Sequence, residues 1–397
     1  MPTSSANGST VPPASDRHAS REGDAGTEAE RLAHVQRRFR EFATEYASLP
    51  LYGAVSRRVG EDPPTAALLT AARPGQARPV LWFAALHDLV LRRPDVPAAR
   101  WYASVVGRDA LPTGDPWPDV RATVLEHADE LRRLVATRTT QTNEVNRSVY
   151  VAAGLAAASD GGRGDGAGVA LVELGASAGL LLGVDRYRVT TTASSGSRTS
   201  VGDASSPVRC LGVDRSVGHP ALGPLPRVVG RAGVDRDPVR LDDEDAVGWL
   251  RACLWPDVPG RVERFEAARA ALLPDPPRVI RGDLVDDASR AVDAAVQQGA
   301  TAGGCDHVVV YSSWALTYVE RERRAALADD LARVASSVPR LTWFTAEPPG
   351  CVPGLPDDPR AASGPTVLGL QMWSDGTPGE PRVVGVAHPH GTWVDTW

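Results

Sequence analysis

The sequence predicts an α/β protein in which a helical domain over residues 28–160 precedes a mostly parallel, Rossmann-like sheet of seven strands over residues 161–397. Three observations carry this prediction. Apolar residues up to about 160 recur at helical spacing, with no convincing strand pattern. From about 165, apolar runs of strand length alternate with helix-sized segments, the rhythm of a parallel sheet with right-handed crossovers. Finally, the last two runs are separated only by residues 374–381, which contain Asp375-Gly376, so they form an antiparallel hairpin at one end of the sheet.

Residues 1–27 are rich in Ser, Gly, Pro, Asp and Thr and hold almost no large apolar side chain. They are expected to be a disordered tail, because too little surface can be buried to offset the ordering entropy. Thr27 and Glu30 have the spacing of a capping box, and Leu32, Val35, Phe39, Phe42 and Tyr46 follow at steps of three and four, which starts the first helix. Pro79 introduces residues 80–86, apolar nearly all round, as a helix buried within a bundle. Val120, Val124, Leu131, Leu134 and Val135 mark another helix, and residues 149–158 an Ala-rich one. The expected strands are 169–173, 228–234, 278–282, 307–311, 341–346, 367–373 and 382–387. Between them, helices are expected at 178–187, 244–253, 285–298 and 320–338. An insertion at about 190–226, rich in Ser, Gly and Pro, reads as a flap or hairpin near a pocket mouth.

Composition narrows the function. The chain has 397 residues, 42% of them hydrophobic, and a formal charge of −6, so it fills real cores but offers no basic footprint for nucleic acid. It contains no lysine, which excludes Schiff-base, pyridoxal phosphate and Walker-lysine chemistry. The four cysteines form no Cys-x-x-Cys pair, so neither a zinc site nor a disulfide framework is expected. No secretory leader pattern is present, and no apolar run reaches the roughly 20 residues that cross a bilayer. A cytoplasmic protein with no membrane or nucleic-acid partner is the expectation.

Glu173-Leu174-Gly175-Ala176-Ser177-Ala178-Gly179 closes the first expected strand with an acid and a Gly-rich turn, then restarts at helical spacing. Glycines let backbone approach a ligand, and N–H groups at a helix start attract polar groups. The same letters also parse as Gly-x-Ser-x-Gly, a nucleophile elbow with Ser177 as nucleophile and Asp283 and His388 or His390 in the right order. That parse lacks the strands expected upstream of an elbow.

In this order of strands, Glu173-x-Gly175-x-x-x-Gly179 resembles the first motif of class I methyltransferases, which use S-adenosylmethionine. The resemblance implies that Glu173, Gly175, Ser177 and Gly179 line the methionine part of the cofactor. Gly233-Val234-Asp235-x-x-Pro238 is similar to the second motif and implies that Asp235 accepts from the ribose hydroxyls. Gly282-Asp283-Leu284 is similar to the third, with Asp283 approaching the adenine amino group, and Ser312 falls in the fourth position. Two features depart from the pattern: Ser177 replaces the middle glycine, and Asp235 follows the turn only after the 190–226 insertion.

After the tail, the chain also resembles the bacterial family called domain of unknown function 2332. The matching segments are Thr137-Arg138-x-x-Gln141-Thr142-Asn143-Glu144-x-x-Arg147, Glu173 to Leu180, Asp185-Arg186-Tyr187, Trp249 to Asp257, and His388-Pro389-His390-Gly391-x-Trp393. The family carries no established activity, so the resemblance implies a fold and a set of positions.

The polar segment from Arg138 to Arg147 is the best candidate for substrate contact. Its candidate contacts are Arg138, Gln141, Asn143, Glu144 and Arg147; if helical, Arg138, Thr142 and Glu144 to Arg147 span about two turns with i,i+4 and i,i+3 neighbours on one face, and Arg138 or Arg147 is able to grip a carboxylate or phosphate bidentately. Its bland reading is a cap with salt bridges. Glu144 or an imidazole of His388 or His390 serves as a base where the acceptor arrives protonated, against a bland reading of the histidines as a hydrogen-bonded turn. No third ligand accompanies the two histidines, so no metal is expected. Trp249 and Trp255 read as packing residues. The expected activity is S-adenosylmethionine-dependent methyl transfer to a small molecule. Alternatives are a non-catalytic nucleotide- or metabolite-binding protein of the same fold, and a Ser177 hydrolase.

Overall fold

The computed structural model describes residues 26–159 and 168–397. The expected tail therefore lies, up to residue 25, outside the described residues. The chain clusters into two compact units. One takes the described residues up to Thr142 together with Asp245–Val262, and the other takes Asn143–Glu244 and Glu263–Trp397.

The first unit is helical. Thr27 and Glu30 form the expected capping box, with Thr27 N donating to Glu30 Oε2 at 2.7 Å, and helix Glu28–Glu45 follows. Helix Pro79–Arg92 is buried on nearly every side, and its Phe83 stacks on Tyr52 at 3.9 Å between ring centroids. Helix Pro50–Val59 has no side-chain cap of its own at Leu49. Its cap comes from Asp257, whose carboxylate accepts from Leu51 N at 3.1 Å and Tyr52 N at 2.9 Å, satisfying two orphan donors of the first turn. Trp255 packs on Tyr46 in the same core. These contacts explain why Asp245–Val262 belongs with a unit that precedes it by more than a hundred residues.

His87 is fully buried here, with Nδ1 against Ala252 O at 3.0 Å and Nε2 against Ser104 Oγ at 2.7 Å. Burial pushes its pKa down from 6.5 to about 4. A depressed imidazole contributes stability above its unfolded value and loses it as pH falls through the folded one. We expect stability to decline by roughly 3 kcal/mol between pH 6.5 and 4 from this group. Its ring resonances, followed by NMR, should stay in the neutral form until pH approaches 4.

The second unit is built on one sheet. Its strands are β1 (Gly168–Leu174), β2 (Arg188–Ala193), β3 (Arg198–Gly202), β4 (Arg209–Asp214), β5 (Val228–Asp235), β6 (Arg278–Arg281), β7 (Cys305–Ser313), β8 (Arg340–Glu347), β9 (Thr366–Ser374), β10 (Thr377–Pro378), β11 (Arg382–Ala387) and β12 (Trp393–Thr396). The order is β3-β2-β4-β12-β11-β9-β8-β7-β1-β5-β6, with β10 paired to β9. All seven expected strands are present, but among the described residues the sheet has twelve strands and is mixed. β6, β5, β1, β7 and β8 run parallel, whereas β9 is antiparallel to β8 and β11 to β9.

The expected hairpin is thus interior to the sheet. β12 pairs with both β11 and β4, and through it the 190–226 insertion adds its strands to the sheet as an extension. These strands were hidden in the sequence because their exposed positions break the apolar runs that mark buried parallel strands; β4, for example, exposes Arg209, Leu211 and Val213.

Helices Ala288–Thr301 and Arg321–Ala335 cover one face of the parallel block over Val172, Leu174, Val310 and Trp343. Helix Ser148–Ala158 covers the other, where Gly154 lets it approach Phe344 so closely that an added Cβ would sit 2.3 Å from the ring. Helix Arg261–Leu272 was not anticipated, and the segment expected as helix 178–187 is a 3₁₀ segment, Leu180–Arg186. Gly175, Ser177 and Gly179 all have left-handed φ, of 79°, 51° and 70°, so no α-helix can nucleate before Leu180. The Tyr187 hydroxyl then donates to Leu180 O at 2.6 Å, engaging a first-turn carbonyl that an α-helix would use. Among the described residues, no helix is long and apolar enough to cross a membrane.

Candidate functional site

β1 lies between β5 and β7, so successive crossovers leave it in opposite directions and a crevice is expected above its carboxyl end. Glu173, Asp235, Ser312, Ser313 and Glu347 all stand at the carboxyl ends of neighbouring strands.

The turn after β1 is knitted to β5. Gly175 N and Ala176 N donate to Val234 O, and Ser177 N donates to Asp235 Oδ2 at 2.7 Å. The expectation of open N–H donors at a helix start is therefore corrected: these three are taken, and the segment beyond is 3₁₀. Gly175 and Gly179 permit positive φ and also tight packing, since a Cβ would meet Ala315 Cβ at 2.6 Å and Pro277 Cγ at 2.7 Å respectively. Ser177, in the same left-handed region, costs about 1 kcal/mol or more for an L residue. Its backbone bond to Asp235 and the bond from Asn143 Nδ2 to its Oγ, at 3.1 Å, offset this. Asp235 Oδ1 also accepts from Asp237 N at 2.8 Å.

Glu173 is 4% exposed and register-paired with Tyr311 on β7. Burial pushes its carboxyl well above the usual range, and Asp235 adds to this, while the Tyr311 hydroxyl and Arg147 act in the opposite sense. Glu347 is fully buried; its Oε1 accepts from Ala315 N at 3.0 Å and Leu316 N at 3.2 Å. It thereby braces the turn at Trp314, another non-glycine residue with left-handed φ, of 59°. Ser177 follows β1 and Trp314 follows β7, so two strained residues stand just beyond the ends of adjacent strands. A third, Asp375, belongs to the expected Asp375-Gly376 hairpin turn.

Burial raises the Glu347 carboxyl from 4.5 to about 7. A raised acid contributes stability that is present below its unfolded value and lost as pH rises through the folded one. We expect a loss of roughly 3 kcal/mol between pH 4.5 and 7 from this residue. Thermal melts of Glu347→Gln should lack that part of the pH dependence.

The segment from Arg138 to Arg147 does not form the expected helical face. Arg138 ends helix Ala128–Thr137 in extended geometry, and Glu144 caps a 3₁₀ turn, Val145–Arg147, by accepting from Asn146 N at 3.0 Å. Arg138 and Gln141 fall in the helical unit, where Arg138 pairs with Asp245 and lies over Trp249. Asn143, Glu144 and Arg147 fall in the sheet unit, where Glu144 also faces Arg264 at 3.7 Å. Arg147 does not present a bidentate fork to a ligand, because Nε donates to Pro389 O at 3.0 Å and Nη1 to Ser313 O at 3.1 Å. Asn146 was overlooked in the sequence. It bonds Leu211 through both ends of its amide, Oδ1 accepting at 2.8 Å and Nδ2 donating at 3.0 Å, and it also donates to Gly391 O.

Those bonds anchor the β11–β12 loop. His388 is buried, its Nδ1 accepts from His390 N at 3.1 Å, and the two rings lie 5.6 Å apart. Gly391, with φ of 69°, closes the turn through its N–H to His388 O. Asp283 stands apart from the crevice groups in a cluster of its own. It accepts from Arg236 at 2.7 Å, Arg323 at 3.1 Å and Val285 N at 2.9 Å. Partial burial works against ionisation, yet these partners hold its carboxyl well below the usual range.

Glu347, Tyr311 and Trp314 were not singled out in the sequence. The signal available for Glu347 was an acid closing an apolar strand before Pro348-Pro349, the same pattern that drew attention to Glu173. Among the described residues, no group of three or more His, Cys, Asp or Glu side chains is placed to hold a metal ion.

The family model described as "Uncharacterized protein conserved in bacteria (DUF2332)" matches residues 36–397. No curated protein and no solved structure matches the chain. The chain belongs to the DUF2332 family of bacterial proteins.

Proposed function

We propose that the sheet unit is an S-adenosylmethionine-dependent methyltransferase acting on a small-molecule acceptor, with a class I Rossmann-like site at the carboxyl ends of β1, β5 and β7. The observation that carries this reading is the pairing of Glu173 and Asp235. They are two strand-end acids on adjacent strands beside the switch point, joined by a strained turn whose Ser177 N–H is held by Asp235.

The residues fit the cofactor unevenly. Glu173 Oε2 and Ser312 Oγ are buried polar atoms without a hydrogen bond of normal geometry, and groups in that state call for a ligand or a proton. Asp235 has two oxygens with lone pairs to spare after accepting one N–H at each, which suits adjacent ribose hydroxyls. Asp283 does not fit the adenine role, since its arginines and Val285 N–H occupy it. The glycines serve packing against Ala315 and Pro277.

When bound, the cofactor supplies an electrophilic methyl group. The chain's own part is alignment: proximity and orientation account for roughly 7–11 kcal/mol of a barrier of this kind. Arg147 fixes the β11–β12 loop to the end of β7, which holds His388 in one orientation as the candidate base for an acceptor that arrives protonated. Glu144 is committed to its cap and to Arg264, so its role is positioning.

The left-handed Ser177 after a strand is the backbone feature that favours a hydrolase. We expect no labelling of Ser177 by a fluorophosphonate probe, and Ser177→Ala should retain cofactor binding. Labelling at Ser177 would replace the transferase reading with the hydrolase one.

A further inference from the structure

We propose that Glu173 is protonated in the unliganded protein and releases its proton to solvent when a cationic centre of the ligand enters the crevice beside it. The inference rests on the cofactor reading above and specifies the ligand class: a sulfonium centre, in preference to a thioether or phosphate-bearing one.

The argument begins with position. Glu173 is the penultimate residue of β1, 4% exposed, with its Oε2 sealed from water. The groups that face it are Tyr311 on β7, Asp235 at the end of β5, Tyr187 beyond the 3₁₀ segment, and Arg147 ahead of helix Ser148–Ala158. A buried carboxylate needs a countercharge or several donors. Asp235 is itself acidic, and the Tyr311 hydroxyl makes no hydrogen bond of normal geometry. The Arg147 guanidinium is directed at the Pro389 and Ser313 carbonyls. The neutral acid is therefore the stable form among these neighbours, in keeping with the upward direction of its titration.

A cation brought next to Glu173 and Asp235 reverses the balance, because an opposite charge within a few ångströms favours the carboxylate. Binding and deprotonation are then linked, and a linked proton makes affinity rise with pH while the free acid is protonated.

Calorimetry of S-adenosylmethionine and its thioether counterpart, S-adenosylhomocysteine, which keeps the amino-acid ammonium and lacks only the sulfonium charge with its methyl group, in two buffers of different ionisation enthalpy reads this directly. For S-adenosylmethionine between about pH 6 and 7 we expect release of up to about one proton and affinity rising by up to about tenfold per pH unit. The thioether should bind without that release. In Glu173→Gln, which keeps the side-chain shape, the release and the pH dependence should vanish, with native melting behaviour as the control for folding. Equal affinities with no proton release, or a pH dependence that survives in Glu173→Gln, overturn the inference and leave the cofactor reading standing. Failure of both molecules to bind the wild type overturns both.

Discussion

Replacing Arg147 by methionine is expected to lower the stability of the sheet unit by roughly 3–6 kcal/mol, about 1.5–3 for each of its two hydrogen bonds from a charged donor to a buried carbonyl. The side chain is 7% exposed and bonds Pro389 O, Ser313 O and Ser313 Oγ, tying the β11–β12 loop to the end of β7. Methionine preserves much of the volume and removes every donor, so the two carbonyls lose these bonds. Beside them, Tyr150 retains its 2.7 Å bond to Ser313 Oγ and cannot reach across the gap alone. The loss of the positive charge also leaves Glu347 without a cation that favours its ionised form. Denaturant melts should therefore show a lower midpoint at neutral pH, with a smaller deficit in acid, where that carboxyl is protonated.

Asp235→Ala is expected to weaken S-adenosylmethionine binding by about a hundredfold or more. Each hydrogen bond to a charged acceptor contributes about 1.5–3 kcal/mol, and this carboxylate is assigned two ribose hydroxyls. It also holds Ser177 N and Asp237 N, so the alanine variant loosens the turn as well as the ligand contacts. Asp235→Asn separates the two effects in part. It keeps one acceptor oxygen for Ser177 N but sets its amide nitrogen against Asp237 N, so it should restore the Ser177 contact while leaving binding weaker than in the wild type.

The parallel block was legible because strands buried on both faces read as continuous apolar runs: β1, β5, β7 and β8 each announce themselves in this way. The strand-end acids Glu173 and Asp235 were legible for the same reason, since a charge at the end of such a run stands out. What sequence could not supply was the partner across space. Asp257 capping a helix that begins at Pro50, Asn146 clasping Leu211, and Asp283 closed off by Arg323 are contacts between distant positions. The expected helix after Gly179 failed because three left-handed residues and the Tyr187 hydroxyl compete with the first α-turn. The expected helical face from Arg138 to Arg147 failed because the preceding helix stops at Thr137 with Arg138 extended, and the carboxylate of Glu144 caps a separate 3₁₀ turn over Val145–Arg147.

Direct calorimetric titration of S-adenosylmethionine into the wild-type protein and into Asp235→Asn tests the central claim most directly. Saturable binding of one cofactor per chain to the wild type, weakened in the variant, is the predicted result; absence of binding to a folded wild-type protein would contradict it.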